Sequence, residues 1–319
     1  MAWKDRYPLI MNPNARSERA KRAHRFVMKN PTEFVIYATK SPEEAGELAS
    51  FFANKNEKIV IAAGGDGTIN TVVRGLSGSD TALGILPTGT MNVFARELGI
   101  PSAKLSQAYS IIKEEHIVEV DLFEVNGMPF AQMAGIGLDA RIIEETSEEQ
   151  KKALGPIAYG IAAAKVFGEN PPKMTVVLDD EVSIEGVCVL VGNGGLYGGQ
   201  FTLFEEADNS DNLMDVLIFK EAGYRGLLDF LKGLKSLSSA NDFSEAKSIE
   251  YRQVSKMHIT SQTPIPLELD GEYAGRHTSF NFKGGAELKK LKVVCPQEPV
   301  VNEWEESLSA LAPFLPWLS

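Results

Sequence analysis

The sequence predicts an α/β domain followed by a β-rich antiparallel sandwich domain, and three observations predict it. Strand and helix signals alternate through the first third of the chain, as in a parallel sheet with crossover helices. After about Asp121 the pattern changes to many strands joined by short connections. The chain has 319 residues, of which 44% are hydrophobic, enough length and apolar content for two cores.

The elements follow in order. Pro8–Met11 reads as a strand, Ala15–Met28 as a basic helix, Glu33–Ala38 as a strand and Pro42–Asn54 as a helix. Lys58–Ala63 is a continuous apolar run of strand length, so a buried strand is expected there, with a helix after Thr68. Ala82–Leu86 and the segment Met91–Leu98 repeat the strand-then-helix theme. Beyond the change of pattern, strands are expected at 117–125, 129–134, 173–178, 182–191, 214–219, 248–253, 256–261 and 265–269, with helices at 142–150, 157–166 and 224–238. The expected division is residues 1–121, joined by the C-terminal segment 286–319, against residues 122–285. Within Pro299–Ser319, Trp304, Leu308, Leu311, Phe314, Leu315, Trp317 and Leu318 suggest a helix packed on the first domain or on a second subunit, or a membrane-contacting hook.

Composition narrows the function classes. Lys plus Arg number 32 against 43 Asp plus Glu, a net charge of −11, which argues against a general nucleic-acid coat. Cys188 and Cys295 lie far apart and without metal-ligand spacing, which fits a reducing, cytoplasmic compartment. The N-terminus shows no signal-peptide pattern, and the apolar stretch 157–167 is broken by Lys165 and too short to span a bilayer. A lipid substrate met at a membrane surface stays open.

The most informative stretch is Lys58-Ile-Val-Ile-Ala-Ala-Gly-Gly-Asp-Gly-Thr68. A buried strand runs into Gly64, Gly65 and Gly67, which let backbone N–H groups approach an anion closely, and Thr68 opens a helix whose N-terminus favours phosphate. No Gly-Lys-Ser or Gly-Lys-Thr occurs, which excludes a P-loop. Asp66 beside phosphates would be repelled unless a cation intervenes, which points to Mg²⁺. The second polar turn, Leu86-Pro-Thr-Gly-Thr-Met-Asn92, also follows a strand, so Asn12, Thr39, Gly64–Thr68 and Thr88, Gly89, Thr90 and Asn92 are the expected nucleotide contacts at one sheet edge.

These residues carry a resemblance. Asn12-Pro13, Gly64-Gly-Asp-Gly-Thr68, Pro87-Thr-Gly-Thr-Met-Asn92 with Phe94-Ala-Arg96, Gly135-Ile-Gly-Leu-Asp139 and Leu269-Asp-Gly-Glu272 occur in the order and spacing of the soluble bacterial diacylglycerol kinase-like lipid kinases, whose catalytic domain sphingosine and ceramide kinases share. The resemblance spans about residues 7 to 295. It implies the NAD kinase/diacylglycerol kinase-like fold, an ATP site in the interdomain cleft, Mg²⁺, and transfer of the γ-phosphate to the hydroxyl of diacylglycerol or a related lipid alcohol. The expected setting is cytoplasmic, peripheral at the inner membrane surface, with a homodimer suggested by relatives. Asp66 and Asp121 match two members of the family's metal-holding chain of acids. Val93 stands where many members have the third, which keeps open a non-catalytic nucleotide-binding regulator; an NAD or other soluble-metabolite kinase is the further alternative. The family's regulatory Mg²⁺ loop matches at Asp208, Asp211 and the Leu213 carbonyl, with Asn212 in place of the usual Gly.

Asp270 is the expected catalytic base, at the end of an apolar strand and in the Asp270-Gly-Glu272 triplet that matches the family's base, with Glu272 beside it. The competing reading of Asp270-Gly271 is a hairpin turn. Gly135–Ala140 fits a dinucleotide fingerprint but falls too late in the chain, and is read as a close-packed turn. Gly192–Gly199 resembles the family's segment bordering the lipid cleft. The four histidines show no pairing.

Overall fold

The computed structural model describes residues 6–13, 18–145, 171–197, 201–223 and 247–297. The helices expected over 157–166 and 224–238 and the apolar stretch 299–319 lie outside them. By contacts the described residues form two compact units, one running to Leu122 with Leu196–Phe201 and the residues from Leu288 onward, the other within Phe123–Gly195 and Thr202–Glu287.

The first unit carries β1 (Tyr7–Met11), α1 (Glu18–Lys29), β2 (Phe34–Ala38), α2 (Pro42–Asn54), β3 (Ile59–Gly64), α3 (Asp66–Leu76), β4 (Ala82–Pro87), α4 (Val93–Glu97), α5 (Leu105–Glu114) and β5 (Ile117–Val120). Its sheet has the order β2-β1-β3-β4-β18-β5, with β18 at Leu291–Val294. The four leading strands are parallel, and β3 and β4 are buried along their whole lengths, which is why they read as unbroken apolar runs. Ser41 caps α2 by accepting the Glu44 N–H, and Pro42 occupies the first helical position, where its missing N–H costs nothing.

The second unit holds β6 (Phe123–Val125), β7 (Met128–Phe130), β8 (Met133–Gly137), α6 (Leu138–Glu145), β9 (Met174–Leu178), β10 (Val182–Gly186), β11 (Cys188–Gly192), β14 (Met214–Phe219), β15 (Ile249–Val254), β16 (Met257–Leu269) and β17 (Glu272–Gly284). The short pair β12 (Leu196–Tyr197) and β13 (Phe201–Thr202) stands apart. The ten-stranded sheet runs β15-β14-β11-β8-β16-β17-β6-β7, and β9 with β10 joins at β16. Strand β16 changes neighbours along its length: Met257–Ser261 pair with β9, and Leu267–Leu269 pair with β8. Register shifts between Thr260 and Ile265 and again between Pro266 and Glu268 mark where it bends. The resulting layers enclose a core of Phe123, Phe130, Ile136, Val189, Val216, Ile259, Leu267, Phe280 and Phe282.

The structure corrects several element boundaries. Residues 117–125 are two strands in different sheets, with Asp121 and Leu122 between them, and 182–191 splits at Val187 into β10 and β11. The two strands expected at 256–261 and 265–269 are one, and the helix expected at 142–150 starts earlier, at Leu138. Helix α5 and strands β17 and β18 were not expected. α5 follows Lys104 without a side-chain cap and ends before Glu115, which is in the left-handed region without being Gly or Asn, so the capping residues that mark a helix's ends are missing.

Candidate nucleotide and acceptor sites

In the first unit the carboxyl ends of four adjacent strands, in the order β2, β1, β3, β4, present Thr39, Asn12, Gly64 and Thr88. The Thr39 N–H donates to the Met11 carbonyl at 2.9 Å and the Thr88 N–H to the Gly64 carbonyl at 2.8 Å, so each turn is tied to its neighbour. A pocket of about 170 Å³ opens there, lined by Met11, Asn12, Ala20, Ala23, Ala63, Gly64, Gly65, Thr68, Thr88 and Gly89. The structure therefore brings Asn12, Gly64, Gly65, Thr68, Thr88 and Gly89 to one concavity. Thr39, buried at the end of β2, and Thr90, exposed, are not among its lining residues. A larger depression of about 820 Å³ in the second unit, bordered by Lys173, Glu185, Lys220 and Glu221, holds none of the expected site residues.

α3 begins directly from β3. Its cap residue, Gly65, is extended and has no side chain to take the first-turn N–H groups, leaving them oriented for an anion. Gly65 also has a packing reason: a Cβ there would lie 3.0 Å from the Gly89 Cα, and a Cβ on Gly89 would lie 2.6 Å from the Gly65 Cα. Two glycines let the two turns touch backbone to backbone, a role that sequence reasoning, focused on phosphate approach, did not assign.

Asp66 and Asn92 build the second turn. Asn92 is fully buried in the left-handed region (φ 50°), and its side chain brackets Gly89: Oδ1 accepts the Gly89 N–H at 2.8 Å and Nδ2 donates to the Gly89 carbonyl at 2.9 Å. The Asp66 carboxylate accepts the Asn92 N–H at 2.9 Å and the Val93 N–H at 2.6 Å. Gly67, next to Asp66, lies in the first turn of α3. Arg19, which carried no sequence signal beyond belonging to a basic helix, donates from Nη1 to the carbonyls of Gly89 at 2.6 Å and Thr90 at 3.1 Å. Burial, and then the neighbouring Arg19, pull the Arg96 guanidinium below its ordinary range, while Asp66 pulls it back. Arg19 thus ties α1 to the second turn through two carbonyls, and the charges of Arg19, Arg96 and Asp66 are near enough to influence one another.

Asp121 is fully buried, with the Lys290 ammonium 2.7 Å from Oδ1. Asp66 is committed to two backbone N–H groups and Asp121 faces a cation, so both carboxylates are already charge-compensated without a metal ion. The loop at 205–213 is occupied in a similar way. Asp208 Oδ1 accepts both the N–H and the hydroxyl of Ser210, at 2.9 and 2.6 Å, and Asp211 Oδ1 accepts the Leu213 N–H at 2.8 Å. Among the described residues no group of three or more His, Cys, Asp or Glu side chains is placed to hold a metal. Beside the loop, burial pushes the Asp215 carboxyl up to about 6 against the opposing hydrogen bonds of Tyr251 and Gln253, with the charges of Asp211 and Glu206 adding to the rise.

In the second unit Asp270 and Gly271 form the two-residue turn between β16 and β17. Both have positive φ, 52° and 85°, and Leu269 pairs with Glu272 across it, the geometry of a primed hairpin turn. The hairpin reading of this dipeptide therefore describes the backbone. Its carboxylate does more than a turn requires. Oδ1 accepts the N–H groups of Gln132 at 2.9 Å and Met133 at 3.0 Å, and Oδ2 accepts that of Ala131 at 3.2 Å. Asn193, fully buried, donates to the Ala131 carbonyl at 2.7 Å, so the 131–133 segment is held from two sides. Glu268, also fully buried and missed by sequence reasoning, accepts the Gly271 N–H at 2.8 Å. Glu272 opens β17, half-buried.

The profile of the Diacylglycerol kinase catalytic domain matches residues 6–125, and that of the YegS C-terminal NAD kinase beta sandwich-like domain matches residues 132–284. A diacylglycerol kinase of Staphylococcus saprophyticus subsp. saprophyticus is 30% identical over 276 residues, covering 84% of this chain and 89% of the relative. One from Bacillus subtilis (strain 168) is 29% identical over 247 residues, covering 76% and 80%. A solved diacylglycerol kinase from Bacillus anthracis str. Sterne shares the fold, with a TM-score of 0.70 at 23% identity over 93% of this chain and 98% of that one. The α/β unit with its two glycine-bearing turns and the β-sandwich unit with its Asp-Gly hairpin accord with all of these likenesses, and the chain belongs to the diacylglycerol kinase family.

Proposed function

We propose that the chain is an ATP-dependent lipid kinase that transfers the γ-phosphate of ATP to the hydroxyl of diacylglycerol or a related lipid alcohol at a membrane surface. The observation that carries the reading is the set of adjacent strand ends at which Asn12, Gly64, Gly65, Thr68, Thr88 and Gly89 line one pocket. The start of α3 supplies backbone N–H groups for phosphate, and Arg19 and Arg96 supply positive charge beside it. No helix among the described residues is long and apolar enough to cross a membrane.

In this reading the lipid oxygen attacks the γ-phosphorus, the bond to the β-phosphate oxygen breaks with ADP leaving, and the hydroxyl proton passes to a carboxylate. The Asp270-Gly-Glu272 triplet supplies that carboxylate. Because both Asp270 oxygens are engaged by backbone N–H groups, we assign Asp270 to shaping the acceptor side and Glu272 to taking the proton. Mg²⁺ is expected to arrive on the nucleotide phosphates, and the loop at Asp208, Asp211 and Leu213 is the second place where it could act.

The test is single-turnover transfer from γ-labelled ATP to a mixed lipid extract, with NAD and nucleosides as parallel acceptors. Label in a lipid phosphate supports the reading. Label in NAD or a nucleoside replaces it with a soluble-metabolite kinase, and nucleotide binding without any transfer replaces it with a regulator.

A further inference from the structure

We propose that Asp66 is a positioning residue, a latch holding the second nucleotide turn against the first, and not a member of a metal-holding chain of acids. The inference rests on the nucleotide site proposed above and deepens it.

The start of α4 needs an outside acceptor. The helix has five residues, and no side chain of its own cap residue accepts its leading N–H groups. Asn92, the residue that would ordinarily cap it, has turned its amide back onto Gly89. The N–H groups of Asn92 and Val93 are therefore donors without an acceptor of their own helix. Asp66, the first residue of a different helix, accepts both, one on each oxygen, at 2.9 and 2.6 Å. A carboxylate at a helix start is favoured by the dipole as well as by the hydrogen bonds, and such charge-assisted bonds are about twice as strong as neutral ones.

The geometry it secures is not one the turn would keep by itself. Asn92 is fully buried at φ 50°, in the left-handed region that non-glycine residues seldom adopt and that persists where the surroundings over-determine it. Two bonds from the Asn92 side chain fix Gly89 to Asn92, and two bonds from Asp66 fix Asn92 and Val93 to α3. The glycine contact sets how closely the turns approach, since a Cβ on Gly89 would lie 2.6 Å, and one on Gly65 3.0 Å, from the other glycine's Cα. Asp66 is the charged element that spans them.

The same contacts remove the need for a cation at Asp66. Two amide dipoles, with the Arg96 guanidinium nearby, face the carboxylate. The neighbouring positions agree. Val93 contributes its amide, which any residue but proline could supply, and the Asp121 carboxylate is paired with Lys290.

Asp66→Asn retains the size of the side chain but sets an amide donor against one of the two N–H groups. Two readouts on the full chain test the latch: amide exchange at Asn92 and Val93 without nucleotide, and calorimetric affinity for ADP with EDTA and with Mg²⁺. A latch predicts that protection at both amides falls about tenfold, and that ADP affinity falls by a similar factor with and without metal. Unchanged protection, or a loss of affinity confined to the Mg²⁺ condition, overturns it and returns Asp66 to metal binding. If the unsubstituted chain binds no ADP in either condition, the nucleotide site is wrong, and the exchange measurement alone decides the latch. Should Asp66→Asn fail to fold, Asp66→Ser, whose hydroxyl can accept only part of the pair, carries the same two readouts.

Discussion

At the scale of single residues, the two acids of the Asp270-Gly-Glu272 triplet are assigned different work. Asp270 is bound by three backbone N–H groups, and Glu272 stands two residues on at the start of β17. The two conservative substitutions should therefore fail in different ways. Asp270→Asn keeps one acceptor but turns an amide donor toward a backbone N–H, leaving a poorly matched group, a defect that costs about 1–3 kcal/mol. Chemical denaturation should show that loss. Glu272→Gln should lower turnover by about a hundredfold, the scale of general-base loss, in a chain that denatures cooperatively. Near-normal turnover in Glu272→Gln with a hundredfold loss in a folded Asp270→Asn would restore Asp270 as the base. Sequence reasoning located this triplet by its motif and by the apolar strand before it. It could not see which oxygen meets which N–H, because the Ala131–Met133 partners lie well over a hundred residues away.

At the scale of elements, the first unit was legible because its information is local. Buried parallel strands show as unbroken apolar runs, and β3 and β4 stand within a residue of their expected bounds. The glycine turns were visible for the same reason, yet the reason for Gly89 was not: its neighbour is Gly65, in another turn. Gly89→Ala puts a Cβ 2.6 Å from the Gly65 Cα and 2.7 Å from Asn92 Oδ1, so backbone must move. We expect about 1–3 kcal/mol of destabilisation, the range for overpacking, together with weaker ADP binding by calorimetry. Thr90→Ala, one residue on and exposed, is the control and should change stability little. The loop at 205–213 makes a second element-scale case. Asp211 is exposed and its Oδ1 holds the Leu213 N–H, so Asp211→Ala removes a local turn bond. If the loop is the family's regulatory Mg²⁺ site, the variant also needs several-fold more Mg²⁺ for half-maximal activity. An unshifted Mg²⁺ dependence would leave Asp211 with the turn alone.

At the scale of the whole chain, what sequence reasoning missed was long-range. Strand β18 follows the second unit's elements in sequence but inserts into the first unit's sheet, parallel to β4 and antiparallel to β5. The segment 286–319 was expected to join the first domain, but not as a strand, because the partners that make Leu291–Val294 a strand are supplied by Leu83 and by Ile117–Val120. Strand β17 was missed for a related reason: its half-polar outer face shows little apolar periodicity, and it is β16 that makes it a strand. The β18 insertion has a charge tie. Asp80, just before β4, pairs with Lys289 at 2.7 Å and Lys292 at 2.8 Å. These two ammonium groups hold the Asp80 carboxyl down to about 2 from its ordinary 3.8. A carboxyl lowered on folding contributes stability above its unfolded value, near pH 4, and loses it as pH falls toward 2. The melting temperature of Asp80→Asn should therefore lie below that of the unsubstituted chain at pH 7 and converge with it by about pH 2. Because Asp80 is exposed, the gap should be small and should shrink further in 1 M salt, where charges are screened beyond about 3 Å. A gap that survives both acid and salt would mean that Asp80 supports the turn before β4 through its shape and not through its charge.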